Sequence, residues 1–360
     1  MRPMRQRYGE AAQPMMTAIA YASRIVPFIV GFHMPVHPQL NYWAEFSTGG
    51  ALFAENNYNP AIKGAGVTYQ STEPGDAGLF YPIAEFAKAH IAGMEDGRYT
   101  PWQAAGALRN MAANAVKYLG MAEMAGIPDT NEARGAVLDI EMLSLLAIYH
   151  QFKIAASVYL SLYEEKGESG HLAASLAYMR RARDRWADFT ERGQKYHKRL
   201  VFYVGNHSVC RDGNWKDFYQ ELDADVARLE VMLGGGCAET EEIPIPRTGI
   251  EPLGWHDDVP SRCAMGKPLR ISLRTNATDV LRGGVNLRYR HTNQLEGLFI
   301  NAPMELINGA WRGEIPALYI TAEWDLLVYF EAVGPDGEGM IYPGLWHGEH
   351  MLPYHIVEVK

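Results

Sequence analysis

The stretch NYWAEFSTGG, residues 41–50, places two aromatic side chains next to an acid. The C–H faces of sugars stack on aromatic rings, and carboxylates accept hydrogen bonds from sugar hydroxyls. Tyr42 and Trp43 could therefore form a sugar platform with Glu45 beside them. Because Trp and Tyr are highly buried in folds of every kind, the same pattern also suits an aromatic plug beneath a loop. The residue types leave these two hypotheses open.

An irregular segment surrounds this stretch: residues 33–82 are rich in Pro, Gly, Asn and aromatic residues and follow no clear period. Irregular segments of this length are usually functional loops or covers. Glycoside hydrolysis needs two carboxyl groups that face each other across the scissile bond, and the segment contains several acids. The alternative is that these acids are solvated surface residues. The candidate catalytic residues are Glu45 and Glu55, and the candidate substrate-binding residues are Tyr42, Trp43, His33 and His37.

Residues that could hold a metal occur near the carboxyl terminus, in the stretch WHGEHMLPYH. Its His and Glu spacing matches no established zinc pattern, and the HExxH order is absent. The cysteines Cys210, Cys237 and Cys263 are widely spaced and include no CxxC pair, which argues against a zinc ribbon or a disulfide framework. No GxSxG occurs, so the sequence WHDD at 255–258 has no serine elbow to complete a triad. We predict no metal site and no cofactor.

Helical periodicity is present in five stretches of the first 233 residues, outside the irregular segment. Apolar residues recur at helical spacing over 8–30, 101–126, 129–165, 169–192 and 215–233. Thr100-Pro101-Trp102-Gln103 forms a capping box with proline at the first helical position. Long helices joined by modest loops predict an antiparallel bundle.

Two acids, Asp139 and Glu141, lie within an otherwise apolar helical stretch. Residues two positions apart do not share a helix face, so they cannot act as a facing catalytic pair. We expect one of them to pair with a basic residue of the bundle, such as Lys153 or Arg180.

The period changes from 3.6 to 2 beyond residue 264. Leu269, Ile271 and Leu273 alternate with polar residues, and Asn308-Gly309 and Asp336-Gly337 stand where hairpin turns belong. We predict a multidomain α+β fold, mainly an α-helical bundle followed by a C-terminal immunoglobulin-like antiparallel β-sandwich. The predicted domains are 1–98, a helix plus the irregular aromatic segment; 99–236, the bundle; 237–264, a linker; and 265–360, the sandwich.

Composition excludes some partners. The chain of 360 residues has a formal charge of −9 and no cluster of Lys and Arg, which argues against nucleic-acid binding. No uninterrupted apolar run in the sequence reaches the length needed to span a bilayer, so we predict no membrane partner. The first thirty residues lack the pattern of a secretory signal, which favours the cytoplasm for the chain as written.

A family resemblance covers nearly the whole chain. The order of the helix RYGEAAQPMMTAIAYASRIVPFIVGFH, the loop NYWAEFSTGG and the segments PGDAGLFYPIAEF and YTPWQAAGALRNMAANA resembles the region after the catalytic barrel in large bacterial glycoside hydrolase-like proteins related to α-glucuronidases. The later motifs LVFYVGNHSVCRDGNWKDFYQELDADV, LRYRHTNQLE and MIYPGL are similar to the helical and terminal β-sandwich portions of the same proteins.

This resemblance implies a secreted or periplasmic enzyme in which a (β/α)₈ barrel supplies the paired carboxylates. No barrel precedes residue 8, so we expect either a piece of a longer protein, lacking its upstream catalytic domain, or a protein that works without the barrel. Our first hypothesis is a carbohydrate-active protein, a glycoside hydrolase or the C-terminal part of one, acting on oligo- or polysaccharides. The alternative is a non-catalytic glycan-binding or scaffolding module, with a homo-oligomer among the expected states.

Overall fold

The computed structural model describes residues 2–33, 48–58, 63–64, 66–195, 200–204, 209–234, 254–276, 281–293, 295, 298–345 and 352–360. Helices precede residue 235, and the carboxyl-terminal part consists mainly of strands. The predicted α+β class is therefore confirmed. An immunoglobulin-like topology stays a prediction.

Eight α-helices are described in the first part of the chain. Short 3-10 turns occur at Gly9–Ala11, Ala54–Asn56 and Trp215–Phe218. The α-helices are α1 (Arg2–Tyr8), α2 (Ala12–Ala22), α3 (Ile25–Phe32), α4 (Ile83–Ala92), α5 (Pro101–Met124), α6 (Asn131–Lys166), α7 (Ser169–Gln194) and α8 (Tyr219–Met232).

The amino-terminal helix predicted over 8–30 is interrupted twice. A 3-10 turn separates α1 from α2, and a turn at residues 23–24 separates α2 from α3. Pro14 and Pro27 each lie in the first turn of the helix that follows a break. Proline is tolerated there because the amide of the first turn has no intrahelical acceptor.

The capping box predicted before α5 is present, and two further helix ends carry local signals. The amide of Thr100 donates to Gln103 Oε1 at 2.9 Å, and the amide of Gln103 donates to Thr100 Oγ1 at 3.2 Å, which is the reciprocal capping box before α5. Thr130 Oγ1 accepts from the amide of Ala133 at the start of α6. Gly167 ends α6 in the left-handed conformation, with φ 72°.

Helices α6 and α7 pack along their lengths and carry the main aromatic core of the bundle. Trp186 of α7 is fully buried, and its ring lies 4.9 Å from that of Tyr149 and 5.0 Å from that of Phe189. Its indole N–H donates to the carbonyl of Trp215 at 3.0 Å. The one polar atom of the ring is thus satisfied inside the core, which is the usual condition for burying tryptophan.

The strands form a hairpin and two larger sheets. The hairpin consists of β1 (Leu200–Val204) and β2 (Val209–Gly213). One sheet has the order β4-β12-β10-β6-β7, with β11 also paired to β10, and the other has the order β3-β5-β9-β8. Their strands are β3 (His256–Asp257), β4 (Arg262–Cys263), β5 (Leu269–Arg274), β6 (Arg282–His291), β7 (Ile300–Pro303), β8 (Glu305–Ile307), β9 (Ala310–Ile315), β10 (Leu326–Val333), β11 (Gly339–Tyr342) and β12 (His355–Val359).

The two larger sheets enclose one apolar core. Leu269, Ile271 and Leu273 of β5 belong to the same buried cluster as Val328 and Phe330 of β10. Two sheets packed over a shared core form a sandwich. The turn at residues 308–309 joins β8 to β9 with φ of 52° and 77°, as the predicted Asn-Gly hairpin requires. Between the strands that the structure describes, pairing is antiparallel except for β12 and β4, which are parallel.

The chain divides into two compact units. The first comprises Met1–Ala77, Pro82–Lys88 and Ala104–Arg247, and the second comprises Gly78–Tyr81, Ala89–Gln103 and Thr248–Lys360. Residues 254–264, assigned from the sequence to a linker, include β3 and β4. The division into four predicted segments stays a prediction.

Two helical stretches have the length and composition of a membrane span. They are Pro3–Phe32 and Asn131–Lys166. The apolar window of the second is 78% buried within the protein, as expected for a core helix, whereas that of the first is 39% buried and lies near the amino terminus. Core helices and signal sequences share these properties with membrane spans, so the absence of a membrane partner stays a prediction.

Candidate functional site

Four of the six predicted site residues lie outside the described residues. Tyr42, Trp43, Glu45 and His37 all fall within 34–47. His33 and Glu55 are described, and so are the residues that follow the segment, from Thr48 onward. The structure therefore shows the contacts of the residues on either side of 34–47.

Glu55 lies in the 3-10 turn Ala54–Asn56 with its side chain 55% exposed. Its carboxylate forms an ion pair with Arg228 of α8. The guanidinium of Arg228 also lies over the ring of Phe53, 4.3 Å from the ring centre. The candidate acid is thus accessible to solvent, but its carboxylate already has a cationic partner.

His33 ends α3 and is buried, not exposed for substrate contact. Its ring stacks on Tyr69 with centres 3.8 Å apart, and Nε2 lies 2.8 Å from the carbonyl oxygen of Gly49. Burial lowers the pKa of His33 to about 3, so the imidazole is neutral near pH 7. Because a carbonyl only accepts, Nε2 carries the proton and donates to Gly49. This bond ties residue 33 to residue 49, on either side of residues 34–47.

A second buried imidazole completes this group. His150 of α6 has Nδ1 2.9 Å from the hydroxyl of Tyr69, and its Nε2 has no hydrogen-bond partner among the described residues. Burial, with smaller contributions from His33 and Lys153, lowers the pKa of His150 well below its usual value. The backbone of Gly49 lies close to the rings of Tyr69, His150 and His33. A Cβ at this position would lie 2.9 Å from Tyr69 Cε2 and 3.2 Å from His150 Cε1 and His33 Nε2.

Thr48 is held by side chains from two helices. Tyr149 of α6 donates its hydroxyl to the Thr48 carbonyl at 2.8 Å, and Lys153 Nζ lies 3.3 Å from the same oxygen. The Thr48 hydroxyl donates to Glu221 Oε1 of α8. Lys153 Nζ also donates to Tyr149 Oη at 2.9 Å and to Glu221 Oε1 at 3.5 Å. Burial lowers the pKa of Lys153, against the opposing effects of Glu221 and Asp225.

Asp225 holds the loop that follows. It accepts hydrogen bonds from the amide of Leu52 at 2.7 Å and from Asn56 Nδ2 at 2.9 Å. Its neighbour one turn earlier in α8, Glu221, accepts from the amide of Tyr58 at 3.0 Å. Burial raises the pKa of Asp225 to about 7, although Lys153 and the N–H donors act in the opposite direction. Two carboxylates on one helix face thus bind the backbone of residues 48–58.

We call these residues the buried polar cluster. Every member is at most 1% exposed, and all belong to the first unit. Enclosed ionisable groups whose hydrogen bonds go to loop backbone atoms and to one another are suited to positioning, because a substrate has no access to them. The members are His33, Thr48, Tyr69, Tyr149, His150, Lys153, Glu221 and Asp225.

The sequence interpretation missed most of this cluster. Glu221 and Asp225 have the i, i+4 spacing that places two acids on one helix face, beside the apolar Leu222 and Val226. That pattern, with a lysine on the buried face of α6, was the available signal. The expectation that Asp139 or Glu141 pairs with a basic residue of the bundle is confirmed by Glu141 and Arg192, although Lys153, one of the two examples named, contacts Glu221 instead.

The partner of Glu141 is Arg192 of α7, and Arg180, the other example named, pairs with Glu230. The choice of Arg192 over Lys153 has a geometric cause. Lys153 lies more than three turns beyond Glu141 along α6, so the two side chains cannot meet on one helix. Only the packing of neighbouring helices selects which charges lie within reach of each other.

The histidine-rich stretch WHGEHMLPYH lies partly outside the described residues. His347, Glu349 and His350 all fall in the part that is not described. His355 is described, and its Nε2 lies 3.3 Å from Asp257 Oδ2. Burial alone would raise the pKa of Asp257, but the neighbouring His355 and hydrogen bonds from the Val259 amide and the Tyr342 hydroxyl hold it below its usual value. Among the described residues, no three His, Cys, Asp or Glu side chains gather in a way that could hold a metal.

No known protein family and no curated protein matches this chain. One similar solved structure is described as a GH138 enzyme targeting pectin rhamnogalacturonan II. It is 12% identical with a TM-score of 0.47, and the match covers 65% of this chain and 34% of that chain. The matched region thus spans about a third of that enzyme. A likeness at this level carries no argument about activity, and the relation to α-glucuronidases stays a prediction.

Proposed function

We propose that this chain is a carbohydrate-active protein whose saccharide-binding element is the aromatic stretch at 41–50. Tyr42 and Trp43 are the proposed sugar platforms, and Glu45 and His37 are proposed to bind sugar hydroxyls. The observation that carries the proposal is the buried polar cluster, which includes His33, before this stretch, and binds Thr48 and Gly49 at the end of it. It ties His33 to Gly49 and fixes Thr48 between α6 and α8.

The composition of the cluster supports a positioning role. A buried lysine with two buried carboxylates is a poor source of net stability, because desolvation offsets most of the attraction between the charges. These groups instead bind backbone atoms of Thr48, Leu52 and Tyr58. Binding sites are most effective when rigid elements hold the segment that contacts the ligand. We propose that His33 acts in this way, through Gly49, without touching the sugar.

Glycan binding is the first proposed activity, because the ion pair with Arg228 engages the carboxylate of Glu55. Hydrolysis with Glu45 and Glu55 as the general acid and base is the second. One observation favours it: the Glu55 side chain is about half exposed and lies in the loop that the cluster holds. A substrate that displaced Arg228 would release this carboxylate for catalysis.

Calorimetric titration with a panel of neutral and acidic oligosaccharides tests the binding proposal. We expect Trp43→Ala and Tyr42→Ala each to weaken binding about tenfold or more, as loss of a stacking ring does. Trp324→Ala is the matched control, since it removes a partly exposed aromatic side chain from the second unit. Equal affinities in wild type, Trp43→Ala and Tyr42→Ala would overturn the proposal.

Release of reducing sugar from the same panel tests hydrolysis. Turnover that Glu45→Gln and Glu55→Gln both lose, while exposed Glu123→Gln retains it, would establish the second activity. Binding without turnover would leave a glycan-binding module. Neither binding nor turnover, together with self-association in sedimentation velocity, would favour the scaffolding alternative and the homo-oligomer.

A further inference from the structure

The outer face of the sheet β3-β5-β9-β8 contains an open cavity of about 760 Å³. Along β5, Leu269, Ile271 and Leu273 point into the core, so Arg270, Ser272 and Arg274 point outward. Strand register places Ser272 opposite Arg312 of β9, and Arg312 opposite Glu305 of β8. Residues directly opposite each other share a sheet face. The cavity is therefore built on three adjacent strands of one unit.

Some polar groups of this cavity are already engaged. Arg270 Nε donates to Glu314 Oε2 at 3.0 Å. The amide and hydroxyl of Ser272 donate to Asp258 Oδ1 and Oδ2, each at 2.6 Å. These bonds engage the guanidinium of Arg270 and the carboxylates of Glu314 and Asp258. They also fix Ser272 in the floor of the cavity.

Two guanidinium groups remain available. Among the residues that the structure describes, neither Arg274 nor Arg312 forms an ion pair, and both are exposed. They are diagonal neighbours on β5 and β9, so their Cα atoms are roughly 7–8 Å apart, within reach of one small anion between the two side chains. Guanidinium groups bind carboxylates through paired N–H donors.

We propose that this cavity binds the carboxylate of an acidic saccharide between Arg274 and Arg312. Glu305, which lines the same face without an ion pair among the described residues, accepts a sugar hydroxyl. Ile307 and Ala310 supply an apolar floor for the C–H face of the ring. The volume lies in the range of sites for small ligands. The saccharide part of this inference rests on the proposed function, whereas the carboxylate part rests on the arginines alone.

The charges of the cavity select against a phosphate ligand. Asp258, Glu305 and Glu314 line it together with the three arginines, so the formal charges balance. A dianionic phosphate would meet repulsion from these carboxylates, whereas a monoanion with hydroxyl groups matches both kinds of partner.

Titration of the full chain with a uronic-acid trisaccharide and with its methyl ester is the direct test. The ester replaces each carboxylate by a neutral ester group that cannot pair with a guanidinium, so we expect it to bind about tenfold more weakly or not at all. Arg274→Gln and Arg312→Gln should each weaken binding of the acid about tenfold, and about 300 mM salt should weaken it relative to about 50 mM. Arg262→Gln removes an exposed arginine of β4 outside the cavity and serves as the matched control.

Equal binding of acid and ester, or wild-type affinity in both arginine variants, would overturn the inference. Inorganic phosphate binding as tight as the trisaccharide would overturn the saccharide assignment. Failure here is distinguishable from failure of the proposed function, because Trp43→Ala leaves the second unit unchanged. The arginine variants likewise leave the aromatic stretch unchanged.

Discussion

Single buried residues decide whether the loop at 48–58 keeps its position. Lys153 is the cation of the buried polar cluster, and it lies between a helix, a loop carbonyl and two carboxylates. Each of these contacts is made away from water, so solvent cannot replace a partner that is removed. Substitutions at such positions should therefore have large effects on stability.

Lys153→Met should lower the free energy of unfolding by about 3–5 kcal/mol, because it leaves Glu221 and Asp225 buried without a cation. Urea denaturation measures the difference. Lys117→Met removes an exposed lysine from α5 and should change the free energy of unfolding by less than about 0.5 kcal/mol. Similar values for both variants would show that the buried charge is unimportant.

Asp225 should make stability depend on pH. Its pKa is raised from 3.8 to about 7 in the folded protein, so the folded state holds the proton more tightly than the unfolded state does. This contribution is complete below about pH 4 and is lost as the pH rises through about 7. Asp225→Asn should therefore become more stable relative to wild type between about pH 5 and about pH 8 in urea denaturation. If the stability of Asp225→Asn relative to wild type instead falls as the pH rises, the assignment of this pH dependence to Asp225 is contradicted.

Gly49→Ala should destabilise the first unit for two reasons. Gly49 has φ 80°, and a Cβ would lie 2.9 Å from Tyr69 Cε2. Gly126, with φ 88° and no atom within 4 Å of the place that a Cβ would occupy, is the control for the backbone strain alone. We expect thermal unfolding to show a loss about 1–3 kcal/mol larger for Gly49→Ala than for Gly126→Ala. Equal losses of stability in the two variants would mean that the rings around Gly49 move to accommodate the added Cβ.

At the scale of elements, buried and exposed ion pairs between strands should differ sharply. Arg288 of β6 donates to both oxygens of Glu331 of β10, at 2.9 and 2.8 Å, and Glu331 also accepts from the amide of Gly97. This carboxylate is 2% exposed, whereas Glu314 of the Arg270 pair is 48% exposed. The same chemistry thus occurs in two environments of one unit.

Glu331→Ala should lower the free energy of unfolding by about 3–5 kcal/mol, since it leaves the guanidinium of Arg288 without its carboxylate partner. Glu314→Ala should lower it by less than about 1 kcal/mol, because water screens and replaces an exposed partner. Urea denaturation of both variants is the measurement. Adding Arg288→Ala to Glu331→Ala should recover part of the loss, and no recovery would assign the loss to packing.

Helix ends and hairpin turns were predictable because their causes are local. The Thr100–Gln103 capping box and the turn at 308–309 depend on residues no more than three positions apart. The two breaks in the predicted helix 8–30 were missed although Gly9, Pro14 and Pro27 were visible. Apolar spacing continues through such breaks, since the packed face does not change.

At the scale of the whole molecule, net charge governs association with polyanions. With a formal charge of −9, the chain should show no retention on double-stranded DNA at about 50 mM salt in a filter-binding assay. Binding there that falls steeply with added salt would reveal a basic surface. Secretion or periplasmic location, implied by the family resemblance, remains a separate proposal.

The sequence by itself determined the α+β class, most helix spans and the alternation of strands, since periodicity and capping act over a few residues. Only the tertiary structure decided which charges meet. The buried polar cluster joins residues 33, 48, 69, 149, 150, 153, 221 and 225, and Glu141 pairs with Arg192 instead of a lysine on its own helix. Burial and pairing arise from contacts between distant segments, and local spacing contains no information about which segments will face each other.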